Sequence, residues 1–391
     1  MTDPARDDGE AYRSEVRRFI AEHAPDLRRP EGMRIPNDAQ EERAIRRWFA
    51  DLYGAGHLGG GWPVEWGGNA DHRATRDLIL MEELFRARAY RPLDQNMLAS
   101  HAIIEFGSPA QKAAYLPLIR SGEHVWCQLF SEPDVGSDLA SLRTRAAADG
   151  EGFVVDGQKI WSTDAQWADM GILLARTDPD TDRHAGITAF VVPMDLPGIT
   201  VRPIREMTGS AEFCEVFLDG VRLGPEHVLG EVDGGWAVAT SGLASERAFV
   251  GANAVQLEMM FDDLVALARG IRLDDGTAAL DHTDVHATLA DALVRVEAVR
   301  LIVGDIVERI LRDDEHPSDG PVAKLAYTEA FVELCETAME LLAGAGDAAD
   351  AELVERWREN FLWSRALTIS GGSSEIMRGL VARQLLGLPR A

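Results

Sequence analysis

The sequence has few cysteines and no long apolar run, two features that would by themselves assign a protein to a class. It contains three cysteines, Cys127, Cys214 and Cys335, which are far apart and form no Cys-x-x-Cys pair, and we interpret them as reduced, buried small hydrophobic residues. No apolar run approaches the length of a membrane span, and the first residues have neither a signal-peptide core nor the basic character of a transit peptide. We therefore expect a cytoplasmic protein with no membrane contact.

Basic charge is also scarce. The chain carries 39 lysines and arginines against 65 aspartates and glutamates, which gives a formal net charge of −26 at pH 7. This excess of negative charge argues against nucleic acid and anionic membranes as partners, although local basic residues can still bind a small anionic ligand. With 391 residues, 46% hydrophobic and 27% charged, the chain is typical of a soluble globular protein with two or three domains.

The hydrophobic periodicity divides the chain into three parts. Residues 8–125 have helix-like apolar spacing, residues 126 to about 230 have β-prone runs, and the chain is helical again from 236 onward. The predicted helices are 11–22, 40–53, 74–88, 110–121, 239–269, 284–312, 321–343, 351–366 and 374–386, and the predicted strands are 170–175, 187–192, 199–204 and 213–217, with Asp219-Gly220 as a turn. The expected fold is α+β and mostly α, with an N-terminal helical domain (1–125), a small central β domain (126–230) and a C-terminal helical bundle (231–391).

Three short patterns imitate known sites. The Asp-x-Asp-x-Asp run at 178–182 lacks the later glycine and acidic residue of a calcium loop, so we interpret it as a solvated turn. His282 and His286 have the spacing of a metal pair on a helix, but without a third ligand they indicate a solvated helix N-terminus. The glycine-rich run 344–349 follows a helix and not a strand, so it predicts a helix terminus and not a dinucleotide-binding turn. No metal is expected.

The region 126–163 contains the strongest candidate for a ligand site. Residues 131–138 read Ser-Glu-Pro-Asp-Val-Gly-Ser-Asp, a loop whose N–H and hydroxyl donors suit an anionic or acceptor-rich ligand. Two β-prone runs then flank Asp156-Gly157, which predicts a hairpin. The hairpin would bring Trp161 and Thr163 near the loop, where an indole is a suitable wall for a flat heteroaromatic ring. The residues alone leave a second interpretation equally open, an ordinary hairpin with a buried Trp161.

Three ordered motifs indicate a family. Phe-Ser-Glu-Pro-Asp-Val-Gly-Ser-Asp at 130–138 and Gly-Gln-Lys-Ile-Trp-Ser-Thr at 157–163 resemble the paired signature of acyl-CoA dehydrogenases, and Gly-Gly-Ser-Ser-Glu-Ile-Met-Arg at 371–378 resembles their third signature. The resemblance implies an oligomeric (dimeric or tetrameric) FAD enzyme that removes an α-proton and a β-hydride from an acyl-CoA thioester. It also implies that the electrons pass to electron-transfer flavoprotein.

The catalytic base is not where many family members carry it. Their glutamate precedes the third motif, whereas this chain has Gly371 there, and a glycine cannot accept a proton. Glu246 lies on the apolar stripe of the predicted helix 239–269, where burial would raise the pKa of its carboxyl toward that of a general base. Periodicity alone favours a structural ion pair of Glu246 with Arg247 or another cation. A subset of the family, however, places its base on this helix directly before an arginine, and this resemblance makes Glu246 the predicted base.

The same resemblance implies the other site residues. The expected flavin contacts are Gln128, Leu129, Phe130, Ser131, Gly136, Ser137, Trp161, Ser162, Thr163, Ser373 and Glu375, the last two serving a neighbouring subunit's flavin in many members. The expected substrate contacts are Ser137 against the coenzyme A portion, Arg247 near the thioester, and Gly371 and Gly372. Thr163 is expected to approach the reactive nitrogen of the flavin.

Two departures from the family pattern bear on assembly. Residues 269–276 lack the Phe-Gly of the Arg-x-x-Phe-Gly segment that grips the flavin diphosphate across a dimer, and Glu375 replaces a frequent glutamine. One hypothesis is a heteromeric enzyme in which a related chain completes the flavin site, as an alternative to a homo-oligomer. Other possibilities are a silent thioester-binding subunit, a dehydrogenase for carrier-protein-bound acyl groups, or a monooxygenase or nitroalkane oxidase on the same fold. The position of Glu246 suggests a branched or bulky acyl chain.

Overall fold

The computed structural model describes residues 4–27, 35–181, 183–242, 247–273, 275–312, 314–348 and 350–389. The N-terminal part is helical, with α1 (Pro4–His23), α2 (Ala39–Gly54), α3 (Ala74–Arg86), α4 (Asp94–Phe106) and α5 (Pro109–Arg120). Four of these match predicted helices. The sequence missed α4 because polar residues interrupt its apolar stripe, and one of them, the buried Asn96, accepts a hydrogen bond from the Trp126 N–H at 2.8 Å.

The central part is a sheet of eight strands. They are β1 (Trp126–Leu129), β2 (Arg145–Asp149), β3 (Gly152–Thr163), β4 (Met170–Arg176), β5 (Ile187–Pro193), β6 (Ile199–Pro203), β7 (Phe213–Leu223) and β8 (Val228–Leu229). The strand order is β6-β7-β3-β2-β4-β5-β8, and β1 pairs in parallel with β4. Along β4, Ile172 and Leu174 pack against the N-terminal helices, whereas Leu173 and Ala175 pack into the opposite face of the sheet. Both faces of this strand are therefore covered, and its residues form a continuous apolar run.

The predicted hairpin at Asp156-Gly157 is wrong. Residues 152–163 form one strand, β3, and the turn lies earlier, at Gly150-Glu151, where Gly150 has a φ of 65°. The Asp156 carboxylate accepts a hydrogen bond from the Gly220 N–H at 2.8 Å, across a shift in the β3–β7 register. Asp219-Gly220 is likewise inside β7 and is not a chain-reversing turn. An Asp-Gly pair can therefore mark a bulge as well as a hairpin.

The C-terminal part is a helical bundle. Its helices are α6 (Gly235–Gly242), α7 (Arg247–Gly270), α8 (Thr283–Ile310), α9 (Asp319–Ala343), α10 (Ala351–Leu367) and α11 (Ser374–Gln384). The predicted helix 239–269 corresponds to parts of α6 and α7, and residues 243–246 between them lie outside the described residues. The predicted helix terminus at 344–349 is confirmed, since α9 ends at Ala343. The sequence did not predict that 345–348 then form β10, which pairs antiparallel with β9 (Ile271–Leu273).

Ion pairs join the parts. Arg86, the last residue of α3, and Arg88, two residues later, contact Glu258 and Asp263 of α7 at 3.2 and 2.7 Å, respectively. Arg46 of α2 contacts Asp169, just before β4, at 2.8 Å. Among the described residues, no helix is both long enough and apolar enough to cross a membrane. All three cysteines are buried and free, as predicted.

Candidate functional site

The loop of the first motif is folded around a buried carboxylate. Glu132 is only 7% exposed, and its two oxygens accept hydrogen bonds from the backbone N–H groups of Arg143 and Thr144 at 2.7 and 2.8 Å. Glu132 and Val135 also exchange two backbone hydrogen bonds of 2.9 Å, which close a tight turn. Ser137, near the end of the loop, is exposed. The loop is thus anchored at Glu132 and open at Ser137.

Lys159 ties this loop to β3. Its side chain is fully buried, and Nζ donates to the Phe130 carbonyl and to Glu132 Oε1, both at 2.9 Å. Burial lowers the pKa of Lys159 to about 8, although the charge of Glu132 opposes this change. Burial also raises the pKa of Glu132, but the Lys159 charge and the hydrogen bonds from Thr144 and Lys159 outweigh it and hold that pKa below its usual value. The backbone N–H of Ile160 adds a bond to the Ser131 carbonyl at 3.0 Å.

A bulge in β3 decides where the second motif points. Lys159 pairs with Val216 and Ser162 pairs with Cys214, so three steps on β3 face two steps on β7. Trp161 lies in this bulge with a φ of 59°, which is unusual for a bulky residue. Lys159 and Ser162 are consequently both buried, whereas the Trp161 side chain is 56% exposed. The alternative interpretation of Trp161 as a buried core residue is wrong.

The predicted flavin contacts of these two motifs fall into three groups by solvent exposure. Gln128, Phe130, Ser131 and Thr163 are half-buried, and Gly136, Ser137 and Trp161 are exposed. The side chains of Leu129 and Ser162 are buried at 0% and 1% exposure, with Leu129 in the sheet core, so only their backbone can face a ligand. The sequence missed Glu132 and Lys159 as parts of the site. An available signal was their placement as opposite charges, one in each of the paired motifs.

The third motif lies at the start of α11 and is largely exposed. Gly371 and Gly372 have φ angles of 61° and 101°, and Ser373 caps the helix by accepting a hydrogen bond from the Ile376 N–H at 3.4 Å. Lys324 of α9 donates to the Gly372 carbonyl. The Glu375 side chain is 80% exposed. Its own backbone N–H and the Ser373 hydroxyl keep the pKa of the carboxyl below its usual value.

The region of the predicted base is only partly described. Glu246 lies outside the described residues, as does the side chain of Arg247, so the roles of both remain predictions. Further along α7 the predicted apolar stripe is confirmed, since Ala254, Leu257 and Leu264 are buried.

The segment after α7 is an acidic turn where the family has Phe-Gly. Arg272 donates to the Gly276 carbonyl at 3.3 Å, and the Asp275 carboxylate accepts from the Thr277 N–H at 2.9 Å. No group of three or more His, Cys, Asp or Glu side chains suited to a metal occurs in the described part of the chain. His282 directly precedes α8, as predicted, and its Nε2 lies 2.5 Å from Thr277 Oγ1. Asp182, the last member of the aspartate run, lies outside the described residues.

Comparisons with known proteins cover nearly the whole chain. The family models for the N-terminal, middle and C-terminal domains of acyl-CoA dehydrogenase match residues 6–123, 127–221 and 233–386. The chain is 36% identical over 393 residues to acyl-CoA dehydrogenase IpdE1 of Mycobacterium tuberculosis, covering 98% of each sequence. Among solved structures, it is similar to the Tcur3481-Tcur3483 steroid acyl-CoA dehydrogenase, with a TM-score of 0.85, 31% identity, and coverage of 100% of this chain and 99% of that one. It is also similar to the ChsE4-ChsE5 complex of M. tuberculosis, with a TM-score of 0.83, 28% identity and the same coverage.

Proposed function

The chain belongs to the acyl-CoA dehydrogenase family, and on that premise we propose that it takes part in the FAD-dependent α,β-dehydrogenation of an acyl-CoA thioester to the trans-2-enoyl thioester. The main support is the contact between the first two motifs. Lys159 holds the loop of Phe130 against β3, and the bulge in β3 leaves Trp161 exposed. When bound, FAD supplies the acceptor for the β-hydride.

The residues of this chain fit the ring end of a flavin. The exposed indole of Trp161 offers a flat apolar surface. Phe130 and Ser131 lie on the neighbouring loop and Thr163 lies two residues beyond the indole, all half-buried. They would hold and orient the ring, while the exposed Ser137 remains available to the coenzyme A portion of the substrate.

The proposed base is Glu246, with Arg247 positioning the thioester. The third motif has Gly371 where a carboxylate would otherwise stand, so the proton acceptor must come from another part of the protein. Glu246 belongs to the stretch joining α6 and α7, and its predicted position on an apolar stripe would raise the pKa of its carboxyl. Its role is to accept the α-proton of the substrate.

The assembly we propose is heteromeric, with a bulky substrate. Two similar solved structures are named as pairs of chains, and one of these is named a steroid acyl-CoA dehydrogenase. Apolar side chains around the third motif are exposed, which supports a covered surface in the assembled enzyme. They are Ile369, Ile376, Leu385, Leu386 and Leu388, between 38% and 69% exposed. We further propose a polycyclic or branched acyl-CoA as substrate and electron-transfer flavoprotein as electron acceptor.

A second candidate is a companion subunit that does not itself perform the chemistry. Asp275 in the segment after α7 and the exposed Glu375 both place negative charge where an anionic diphosphate would otherwise be gripped. Like charges in such a site weaken binding of the cofactor. In this case the flavin of the assembly would rest mainly on the partner chain.

The test is an anaerobic titration of the purified chain, alone and with a co-expressed companion, with straight, branched and polycyclic acyl-CoAs. We expect one class to bleach the visible flavin band and the Glu246→Gln variant to abolish the bleaching. The control is Glu258→Gln on the same helix, which removes a half-buried carboxylate paired with Arg86 and leaves bleaching unchanged.

Each outcome separates the candidates. Bleaching that Glu246→Gln does not affect would place the base in the companion chain and favour the second candidate. A yellow assembly that no acyl-CoA bleaches would overturn the proposed reaction. Rapid reaction of the reduced flavin with oxygen, or activity only with carrier-protein thioesters, would identify the other flavoenzyme chemistries.

A further inference from the structure

Lys159 is a buried cation that none of the predicted roles uses. A charged ammonium group that is fully buried is costly unless it is paired and hydrogen-bonded. The pairing here is with Glu132 at 2.9 Å, yet the same Nζ also donates to the Phe130 carbonyl at 2.9 Å. Glu132 already accepts two backbone N–H groups, so the loop would be anchored without the lysine. The bond to the Phe130 carbonyl is therefore the contact that the lysine adds to this anchoring.

The bond from Lys159 to the Phe130 carbonyl fixes the orientation of the peptide group that joins Phe130 to Ser131. In a planar trans peptide the C=O and the following N–H point in opposite directions. Because Lys159 holds the Phe130 carbonyl toward the interior, the N–H of Ser131 must point away from it. The Ser131 carbonyl is held in turn by the Ile160 N–H at 3.0 Å, and the next N–H, that of Glu132, bonds to the Val135 carbonyl. The peptide groups before and after Ser131 are therefore both fixed in orientation.

The bulge in β3 completes the arrangement. In a regular strand Lys159, Trp161 and Thr163 would all lie on one face, since side chains alternate with a period of two. The extra residue between Lys159 and Ser162 keeps the lysine in the interior and turns the indole outward. One short segment thus supplies an interior cation that orients the loop backbone and an exterior ring beside that loop.

We propose that Lys159 is a positioning residue of the flavin site: by holding the Phe130 carbonyl, it aims the Ser131 N–H at an acceptor atom of the flavin ring that lies against Trp161. This inference rests on the proposed FAD-dependent function and deepens it. Lys159 does not touch the cofactor or the substrate. Its effect passes through the orientation of one peptide group, which makes it separable from simple neutralisation of Glu132.

Three variants distinguish positioning from neutralisation, each examined in the assembly in which the wild type binds FAD. Lys159→Met removes both bonds of the ammonium group, and we expect the FAD dissociation constant to rise about tenfold to a hundredfold, the effect of losing one well-placed hydrogen bond. We also expect a shift of the visible flavin band. Glu132→Gln leaves Lys159 bonded to Phe130, so we expect a change of less than about threefold despite a loss of stability.

The double variant is the decisive comparison. Lys159→Met alone leaves the Glu132 carboxylate buried without its cation, whereas Lys159→Met combined with Glu132→Gln removes both charges. We expect the double variant to regain stability against denaturant relative to Lys159→Met, while FAD binding stays as weak as in that single variant. A double variant that regains both stability and FAD affinity would overturn the inference, because Lys159 would then act only by neutralising Glu132.

A control variant and the wild type separate the two proposals. Glu83→Gln removes a carboxylate that is 3% exposed and bound by Arg13 and Arg17 in the N-terminal helices, and it should lower stability without changing the FAD dissociation constant or spectrum. If the wild type binds FAD and Lys159→Met binds it equally well with the same spectrum, the positioning role fails and the proposed function stands. If the wild type binds no FAD in any assembly, the proposed function fails and this inference fails with it.

Discussion

The paired motifs of the β domain and the third motif at α11 are built in opposite ways. The paired motifs are organised around buried charges, Glu132 and Lys159, which bond to each other and to the backbone of the same chain. The third motif has an exposed glutamate, Glu375, and glycines in left-handed backbone. The paired motifs are held together by contacts within a single chain. The third motif is exposed, and we interpret it as a contact surface for a second chain or for the cofactor of a neighbouring subunit.

The two regions differ because the charges of the paired motifs are buried, whereas Glu375 of the third motif is in contact with water. A carboxylate without its partner costs several kcal/mol in the interior, whereas an exposed one is hydrated and loses little when its partner is removed. The two regions should therefore respond very differently to the same substitution. The predictions below use this contrast, beginning with the largest effect.

Removal of a glutamate side chain should separate the regions most clearly. Glu132→Ala leaves Lys159 buried without its counter-ion and two backbone N–H groups without acceptors, and we expect a loss of about 3–5 kcal/mol in the free energy of unfolding. Glu375→Ala removes an exposed side chain and should leave that free energy unchanged within error. Urea denaturation of both variants measures the difference. Equal losses would show that the third motif is as firmly embedded in this chain as the first.

Glycine substitution should reverse the ranking with a smaller effect. Gly372 has a φ of 101°, so we expect Gly372→Ala to cost about 1–2 kcal/mol through backbone strain. Gly136, in the loop of the first motif, has open space where a Cβ would lie, and Gly136→Ala should change stability by less than about 0.5 kcal/mol. Thermal melts of the two variants provide the measurement. A neutral Gly372→Ala would contradict the left-handed backbone conformation at Gly372.

Low pH should lower the stability that the paired motifs contribute, and this effect should be the smallest of the three. The pKa of Glu132 in the folded chain lies below its usual value, so its ionised form stabilises the fold above the unfolded pKa of about 4.3. This contribution is lost as the pH falls through the folded pKa, while Lys159, with a pKa of about 8, stays protonated. We expect the stability difference between the wild type and Glu132→Gln to shrink between pH 7 and pH 3. A constant difference would indicate that the folded pKa is not lowered.

Much of the fold could be predicted from the sequence. Apolar periodicity located the long helices, because an amphipathic helix carries its buried face in its own spacing, and the three motifs indicated the family. α4 was missed because its interior contact is made by a polar residue, Asn96, whose partner is distant in the chain. The hairpin was wrong because Asp156-Gly157 has the same local preference for a bulge as for a turn.

The sequence by itself determined the three-part helical and β organisation, the residues that make up the two neighbouring motifs, and the absence of a carboxylate at Gly371. Only the tertiary structure decided which way those residues face. Lys159 and Trp161 are two positions apart and would share a face in a regular strand, yet one is fully buried and the other is 56% exposed. The cause is a register shift against β7, more than fifty residues later in the chain. Pairing between distant strands, and not local preference, sets that register.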